Sequence, residues 1–221
     1  MKLLCNALIK LLCGLLLISL LIFLPAGTLR YFNGWLLLGV LFVPMLILGV
    51  VLLIKSPDLL AKRLDLREKQ SAQKQVVSLS ALLFLFGFLA AGLDFRFAWT
   101  HVPFPVVLIA SAVFLCSYGL YAEVMRENAY LSRTVKVEEG QRVIDTGLYG
   151  VVRHPMYFAT VLLFLAMPLI LGSWISFLIF LIYPVLIALR IRDEELLLER
   201  ELAGYSEYKT RVKYRLIPFV W

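Results

Sequence analysis

Residues 34–54 read GWLLLGVLFVPMLILGVVLLI, a run of 21 residues without a charged side chain. The hydrocarbon core of a bilayer is about 30 Å thick, and a helix needs about 20 apolar residues to cross it. Three further stretches of similar length also lack Asp, Glu, Lys, Arg and His, namely 11–29, 76–93 and 103–122. Because lipid offers no partners for backbone polar groups, each stretch is predicted to be helical.

Two shorter apolar stretches, 156–171 and 174–189, follow and are separated by Gly172-Ser173. Each is slightly short for a full crossing, and together they predict a tight helical hairpin. The predicted fold class is all-α: a polytopic integral membrane protein with about six hydrophobic helices, a C-terminal helical hairpin and a cytoplasmic tail. We expect one membrane domain, with four transmembrane helices in 1–122 and a catalytic, cofactor-binding region in 123–221.

The composition supports a membrane protein and argues against other classes. Of the 221 residues, 62% are hydrophobic, whereas soluble domains contain about half. The net charge is +7, but Lys and Arg lie between the apolar stretches, next to anionic lipid headgroups, so membrane lipids rather than nucleic acid are the expected partners. The long first apolar run, followed by Arg30-Tyr31-Phe32-Asn33, favours a retained helix over a cleaved signal peptide.

The distribution of basic residues predicts the orientation. The segments 1–10, 55–75, 123–155 and 190–221 hold 20 of the 22 Lys and Arg residues. Because basic residues favour the cytoplasmic side, both termini are predicted to be cytoplasmic. Aromatic residues typical of an interface fall on the opposite side, at Tyr31, Trp35, Phe97, Trp99 and Trp174.

Two other features receive simple interpretations. Cys5, Cys13 and Cys116 lie in or beside apolar stretches without a Cys-x-x-Cys or Cys/His spacing, so neither a disulfide nor a metal site is expected. The loop 55–75 is either an interfacial amphipathic helix or a charged connector, and the connector is favoured. The helical spacing in this loop is carried by Leu59, Leu60, Leu64 and Leu66.

The first polar motif is GLYGVVRHPMY at residues 147–157. Pro155 disfavours helix at His154 and suits the first position of a helix, so a helix is predicted to begin there. The free N–H groups at a helix N-terminus, together with Arg153, would attract a carboxylate or a phosphate. The alternative is structural, with Arg153 reaching headgroups and His154 capping the helix.

The second polar motif follows the last apolar stretch. Arg190 and Glu194 are four residues apart and share one helix face. They could be a surface ion pair of little energetic value. As a binding pair, Glu194 would hold a cationic ligand group and Arg190 an anionic one. The zwitterionic methyl donor S-adenosylmethionine fits such a site, whereas the Gly-rich loop of a Rossmann-type site is absent from the sequence.

These motifs, taken in order, resemble the isoprenylcysteine carboxyl methyltransferase family, which is related to the phospholipid methyltransferases. The resemblance covers roughly residues 125–221. It rests on Gly147-x-Tyr149-x-x-x-Arg153-His154-Pro155-x-Tyr157, Glu194-Glu195, Gly204-Tyr205-x-x-Tyr208 and Arg215-Leu216-Ile217-Pro218. It implies a membrane methyltransferase that binds S-adenosylmethionine in a cytoplasmic pocket and acts on a lipid or prenylated small molecule.

The resemblance also implies individual roles. Glu194 matches a residue that contacts the cofactor, and Arg190 matches one near the substrate carboxylate, so these two are the predicted catalytic residues. The predicted cofactor-binding residues are Gln141, Val143, Ile144, Tyr149, Arg153, His154, Pro155, Tyr157 and Glu194. Gln141 stands where the eukaryotic members have His. No metal is expected.

Two other functions compete with this interpretation. A membrane reductase of the sterol reductase type has a related helical core and uses NADPH. A non-catalytic scaffold or lipid binder could have kept the pocket. The methyl acceptor stays open between a prenylcysteine, another lipid acid, a phospholipid amine and a thiol, and the oligomeric state has no signature in the sequence.

Overall fold

The computed structural model describes residues 2–65, 71–131, 137 and 140–221, and the secondary structure within them is helical. Five stretches of these residues are long and apolar enough to cross a membrane: Lys2–Ala26, Phe32–Lys55, Gln73–Phe97, Phe104–Glu127 and Trp174–Glu201. The helices are α1 (Lys2–Ala26), α2 (Phe32–Lys55), α3 (Pro57–Leu64), α4 (Ser71–Phe97), α5 (Phe104–Glu127), α6 (Pro155–Ile170), α7 (Trp174–Phe180), α8 (Tyr183–Glu201) and α9 (Tyr205–Arg211), with a 3₁₀ turn at Gly147–Gly150. This architecture confirms the predicted polytopic all-α fold.

The helices extend beyond the apolar stretches that predicted them. α1 begins at Lys2 rather than at residue 11, and the ammonium group of Lys10 donates a hydrogen bond to the carbonyl of Leu64. α4 runs from Ser71 to Phe97, beyond the predicted 76–93. A charged side chain at a helix end can reach polar groups outside the apolar core, so it does not terminate the helix.

The predicted hairpin is present, but its second arm is divided. α6 ends at Ile170, the chain turns at Gly172 with φ +82°, and α7 begins at Trp174. Leu181 and Ile182 then separate α7 from α8. Pro184 explains the break, because proline has no N–H to donate to the carbonyl of Phe180 and its ring would crowd that carbonyl.

Aromatic rings join α4 to the hairpin. The ring of Phe84 lies 4.7 Å from that of Phe164 and 5.2 Å from that of Phe180, measured between centroids. Tyr183 packs against Phe164 at 4.7 Å. Gly87 permits this approach, since a Cβ atom there would overlap the ring of Phe180. The start of α8 is therefore held against α4 and α6.

The end of the bundle that carries the predicted aromatic belt is closed by buried polar contacts. Asp94, which is buried in α4, accepts hydrogen bonds from the backbone N–H of Thr100 at 2.7 Å and from the hydroxyl of Ser173. Ser173 also caps α7 through the N–H of Ser176, at 3.0 Å. The hydroxyl of Tyr31 donates to the carbonyl of Leu171. The carboxylate of Asp94 thus lies in α4, just beyond the predicted apolar stretch. It links the end of α4 to the start of α7.

The described part of the 55–75 loop contains a short helix between α2 and α4. α3 spans Pro57–Leu64, and Leu59 and Leu60 are buried. Leu66, the last leucine of the predicted pattern, lies outside the described residues. α3 packs against α2 and α1, so its leucines contact protein.

Candidate functional site

An open cleft lies at the end of the bundle opposite the Asp94 contacts. It contains about 840 Å³ of atom-free space, part of which is continuous with the surroundings. The described residues that line it are Asn128, Tyr130, Leu131, Gln141, Arg142, Val143, Ile144, Tyr149, Arg153, His154, Met156, Tyr157, Arg190, Glu194, Leu198, Leu202, Tyr205 and Tyr208.

The cleft brings together residues that the sequence analysis took from separate motifs. Three segments contribute to its wall: residues 141–149, which we name the strip before α6, the start of α6, and the middle of α8. The predicted residues found there are Gln141, Val143, Ile144, Tyr149, Arg153, His154, Tyr157, Arg190 and Glu194. Pro155 is not among the lining residues, but it begins α6 as predicted. The ligand-binding roles of all these predicted residues remain predictions.

Tyr157 connects the two predicted catalytic residues. Its hydroxyl accepts a hydrogen bond from Nε of Arg190 at 2.8 Å and donates one to Oε2 of Glu194. The guanidinium of Arg190 also lies over the Tyr157 ring, 5.8 Å from its centroid. Because one hydroxyl contacts both charged groups, the positions of the cation and of the carboxylate depend on each other.

Glu195, which the sequence analysis did not assign to the site, organises the wall beside Glu194. Its side chain is only 2% exposed. Oε1 accepts from Nε of Arg153 at 2.7 Å and lies 3.3 Å from Nε2 of His154. Oε2 accepts from Nε of Arg215 at 2.8 Å. A buried carboxylate is stable only when it is paired, and here two arginines and a histidine surround it.

The C-terminal segment 212–221, which we name the strap, crosses the start of α6. The backbone N–H groups of Arg153 and His154 donate to the carbonyls of Tyr214 and Arg215, both at 2.9 Å. Nη1 of Arg153 donates to the carbonyl of Lys213 at 2.9 Å. These two N–H groups precede Pro155 and are satisfied by the strap. Anion binding by the free N–H groups of the first turn of α6 stays a prediction.

The strip before α6 is held by α5 and α9. Gly147 has φ +52°, and the N–H of Leu148 donates to Oε2 of Glu127 at 3.1 Å. The hydroxyl of Tyr149 accepts from Nδ2 of Asn128 at 3.0 Å. The hydroxyl of Tyr208 donates to the carbonyl of Tyr149 at 2.7 Å. Tyr149 is thereby oriented toward the cleft from two sides.

Tyr205 is a further lining residue that the predicted site omitted. Its hydroxyl is buried and has no hydrogen-bond partner among the residues that the structure describes. Burial first, and then the nearby carboxylates of Glu195 and Glu194, raise the pKa of Tyr205 far above its usual value. The hydroxyl is therefore neutral and can donate or accept. The Gly204-Tyr205-x-x-Tyr208 motif was the signal for it.

Replacing Tyr157 by Phe should loosen the wall without removing the ring that stacks on His154 at 5.7 Å. Arg190 and Glu194 would lose their shared partner. Hydrogen bonds to charged groups contribute about 1.5–3 kcal/mol, so the melting temperature in detergent should fall by several degrees. Tyr130→Phe is the matched control, since the exposed hydroxyl of Tyr130 makes a weak 3.3 Å contact with the carbonyl of Gly140. Equal melting of the two variants would contradict the linking role.

Comparison with known proteins shows similarities over parts of the chain. The family model described as phospholipid methyltransferase matches residues 104–203, just under half of the chain. A mouse delta(14)-sterol reductase is 32% identical over 91 residues, which cover 40% of this chain and 22% of the reductase. The chain thus matches about a fifth of that relative's length. Residues 104–203, which include most of the cleft wall, are similar to phospholipid methyltransferases.

Proposed function

We propose that the protein is an S-adenosylmethionine-dependent methyltransferase that acts on a lipid-like substrate at the cytoplasmic membrane face, by carboxyl O-methylation of the isoprenylcysteine type. The observation that carries the proposal is the contact chain Arg190–Tyr157–Glu194 in a cleft at the end of an apolar helical bundle. The cleft combines a cation, a carboxylate and apolar walls. The similarity of residues 104–203 to phospholipid methyltransferases supports the reaction class.

The chemistry of the cleft fits S-adenosylmethionine. The carboxylate of Glu194 and the hydroxyl of Tyr205, which has no partner among the described residues, would hold the ammonium group of its amino acid end. The strip before α6, with Gln141, Val143, Ile144 and Tyr149, would line the remainder of the donor. Arg153, His154 and Pro155 would keep the wall in place, because the first two are bonded to Glu195 and to the strap. When bound, the donor supplies a methyl group on a sulfonium centre.

Arg190 would orient the methyl acceptor. A carboxylate acceptor is already ionised at neutral pH, so no general base is required. The contribution of the protein is then mainly positioning. Arg190 would hold the carboxylate of the acceptor through its guanidinium. Tyr157 would fix the position of that guanidinium relative to Glu194. The apolar side chains Leu198 and Leu202 in the wall would reduce the access of water.

The proposal includes the orientation of the protein in the membrane and separate roles for its two regions. Both termini would be cytoplasmic, since the basic residues concentrate in the segments on that side. Residues 1–122 would form the membrane scaffold, and residues 123–221 would hold the cofactor. The lipid part of the substrate would enter from the bilayer, between the α6–α7 hairpin and its neighbours.

The test is transfer of labelled methyl groups from S-adenosylmethionine into a total lipid extract, with mass identification of the product. Glu194→Gln should lower S-adenosylmethionine affinity at least tenfold. It should lower the melting temperature by less than Tyr157→Phe does, since the amide oxygen of Gln can still accept from the Tyr157 hydroxyl. Glu199→Gln is a matched control, since Glu199 pairs with Lys209 and does not line the cleft. Unchanged affinity in Glu194→Gln would contradict the assigned role. Absence of transfer to any lipid would favour a non-catalytic lipid binder.

The similarity to a sterol reductase favours a second candidate, an NADPH-dependent membrane reductase. Thermal stabilisation of the purified protein separates the two functions. Stabilisation by S-adenosylmethionine and not by NADPH is expected. Stabilisation by NADPH alone would reverse the choice.

A further inference from the structure

The depth of the strap in the membrane follows from the length of α6. α6 has 16 residues, which at 1.5 Å per residue span about 24 Å. Its far end lies at the aromatic belt, where Nδ2 of Asn33 donates to the carbonyl of Ile170 at 2.9 Å and Tyr31 contacts Leu171. Since the hydrocarbon core is about 30 Å thick, the start of α6 does not extend beyond the opposite edge of that core.

The strap is bonded to that end of α6. The N–H groups of Arg153 and His154 donate to strap carbonyls, and Arg215 pairs with the buried Glu195. These bonds keep the strap at the level of the first turn of α6. The strap therefore lies no farther from the bilayer centre than the lipid headgroups on that side.

The outer surface of the strap is apolar. Phe219 is 87% exposed and Val220 is 75% exposed, and Ile217 is exposed beside them. Phe219 has φ +64°, a conformation that bulky residues rarely adopt. The N–H groups of Leu216 and Ile217 donate to the carbonyl of Trp221, at 2.8 and 3.0 Å, and close this bend. The bend presents apolar side chains outward.

Basic and aromatic groups accompany the apolar side chains. Lys213 is exposed, and the guanidinium of Arg215 lies 5.3 Å from the centroid of the Trp221 ring. Aromatic rings beside basic side chains are typical of the membrane interface. Anionic headgroups attract such basic residues. The pattern fits a lipid surface.

We propose that Ile217, Phe219 and Val220 insert into the headgroup region of the bilayer that the helices span, and that the strap thereby anchors the Arg153–His154 wall of the cleft to the lipid. Burial of three exposed apolar side chains favours insertion. Anionic lipid adds an attraction for Lys213 and Arg215. The proposal concerns the wall alone and does not depend on which ligand the cleft binds.

The test uses Trp221 as a probe of its surroundings. The protein and its Trp221→Phe variant are placed in vesicles of phosphatidylcholine containing phosphatidylglycerol, and the difference between their emission spectra isolates Trp221. We expect blue-shifted emission that lipids brominated near the headgroup quench severalfold more than aqueous iodide does. Emission typical of tryptophan in water, quenched by iodide and not by brominated lipid, would overturn the proposal.

A charge variant provides the second arm. Phe219→Asp combined with Val220→Asp should shift the Trp221 emission to longer wavelength and raise its quenching by iodide. Ser206→Asp adds a charge on the exposed surface of α9 and should leave this emission unchanged. If the double variant does not fold, quenching in the parent protein decides alone. Identical quenching of the folded double variant and the parent would also contradict insertion.

Discussion

Replacing Glu195 by Gln should cost about 3–5 kcal/mol, the range for breaking a buried ion pair by removing one partner. The variant would leave Arg153 buried, at 6% exposed, without its compensating carboxylate. Arg215 and His154 would lose the same partner. For a chain of this size, 1 kcal/mol corresponds to about 2–4 °C in melting temperature, so a fall of roughly 10 °C is expected. Fluorescence-monitored melting in detergent measures it.

The same experiment includes a control four residues further along α8. Glu199 pairs with Lys209, but its side chain is 31% exposed and that of Lys209 is 36% exposed. Exposed pairs contribute at most about 1 kcal/mol. Glu199→Gln should therefore melt within a few degrees of the parent. A small and equal effect of both variants would show that Glu195 does not organise the wall.

Replacing Gly147 by Ala should disrupt the strip before α6. A left-handed conformation costs an ordinary residue about 1–2 kcal/mol, and a Cβ atom here would also collide with the carboxylate of Glu127. Glu127 accepts the N–H of Leu148, so its displacement would move the turn that carries Tyr149. We expect a lower melting temperature and at least a tenfold loss of S-adenosylmethionine affinity by calorimetry.

A Gly140→Ala variant separates the effect of backbone strain from the effect of the collision with Glu127. Gly140 also has a positive φ, +72°, but no heavy atom of the described residues lies within 4 Å of its added Cβ. Gly140→Ala should show the strain alone. If the two variants lose the same amount of stability, Glu127 does not restrict Gly147. If stability falls while affinity stays unchanged, the turn does not shape the binding site.

The membrane architecture could be predicted from the sequence because its signals are local. The lengths of the apolar stretches predicted the membrane helices, and Pro155 predicted the start of α6. The helix ends were less accurate, since Lys10 reaches a carbonyl of α3 and Asp94 accepts a hydrogen bond from Ser173, just before α7. Those contacts join residues far apart in the chain. No local pattern indicates them.

Most of the predicted site residues line the cleft, whereas the contacts among them could not be predicted from the sequence. Glu194 and Glu195 are adjacent, and successive helical residues point about 100° apart. One carboxylate therefore lines the cleft while the other faces the strap. Assigning these roles requires the rotation of α8 about its axis, which is decided by packing. The bonds between the strap and α6 join backbone atoms, so side-chain identity does not reveal them.

The bonds across the start of α6 have a consequence for biosynthesis. The carbonyl of Lys213, which Arg153 binds, is 60 residues further along the chain. During translation the earlier helices enter the membrane first. Arg153 therefore lacks its bond to the strap until the ribosome has synthesised Lys213. The cleft can mature only after the strap emerges, so a truncated nascent chain would contain the helices of the bundle without a completed wall.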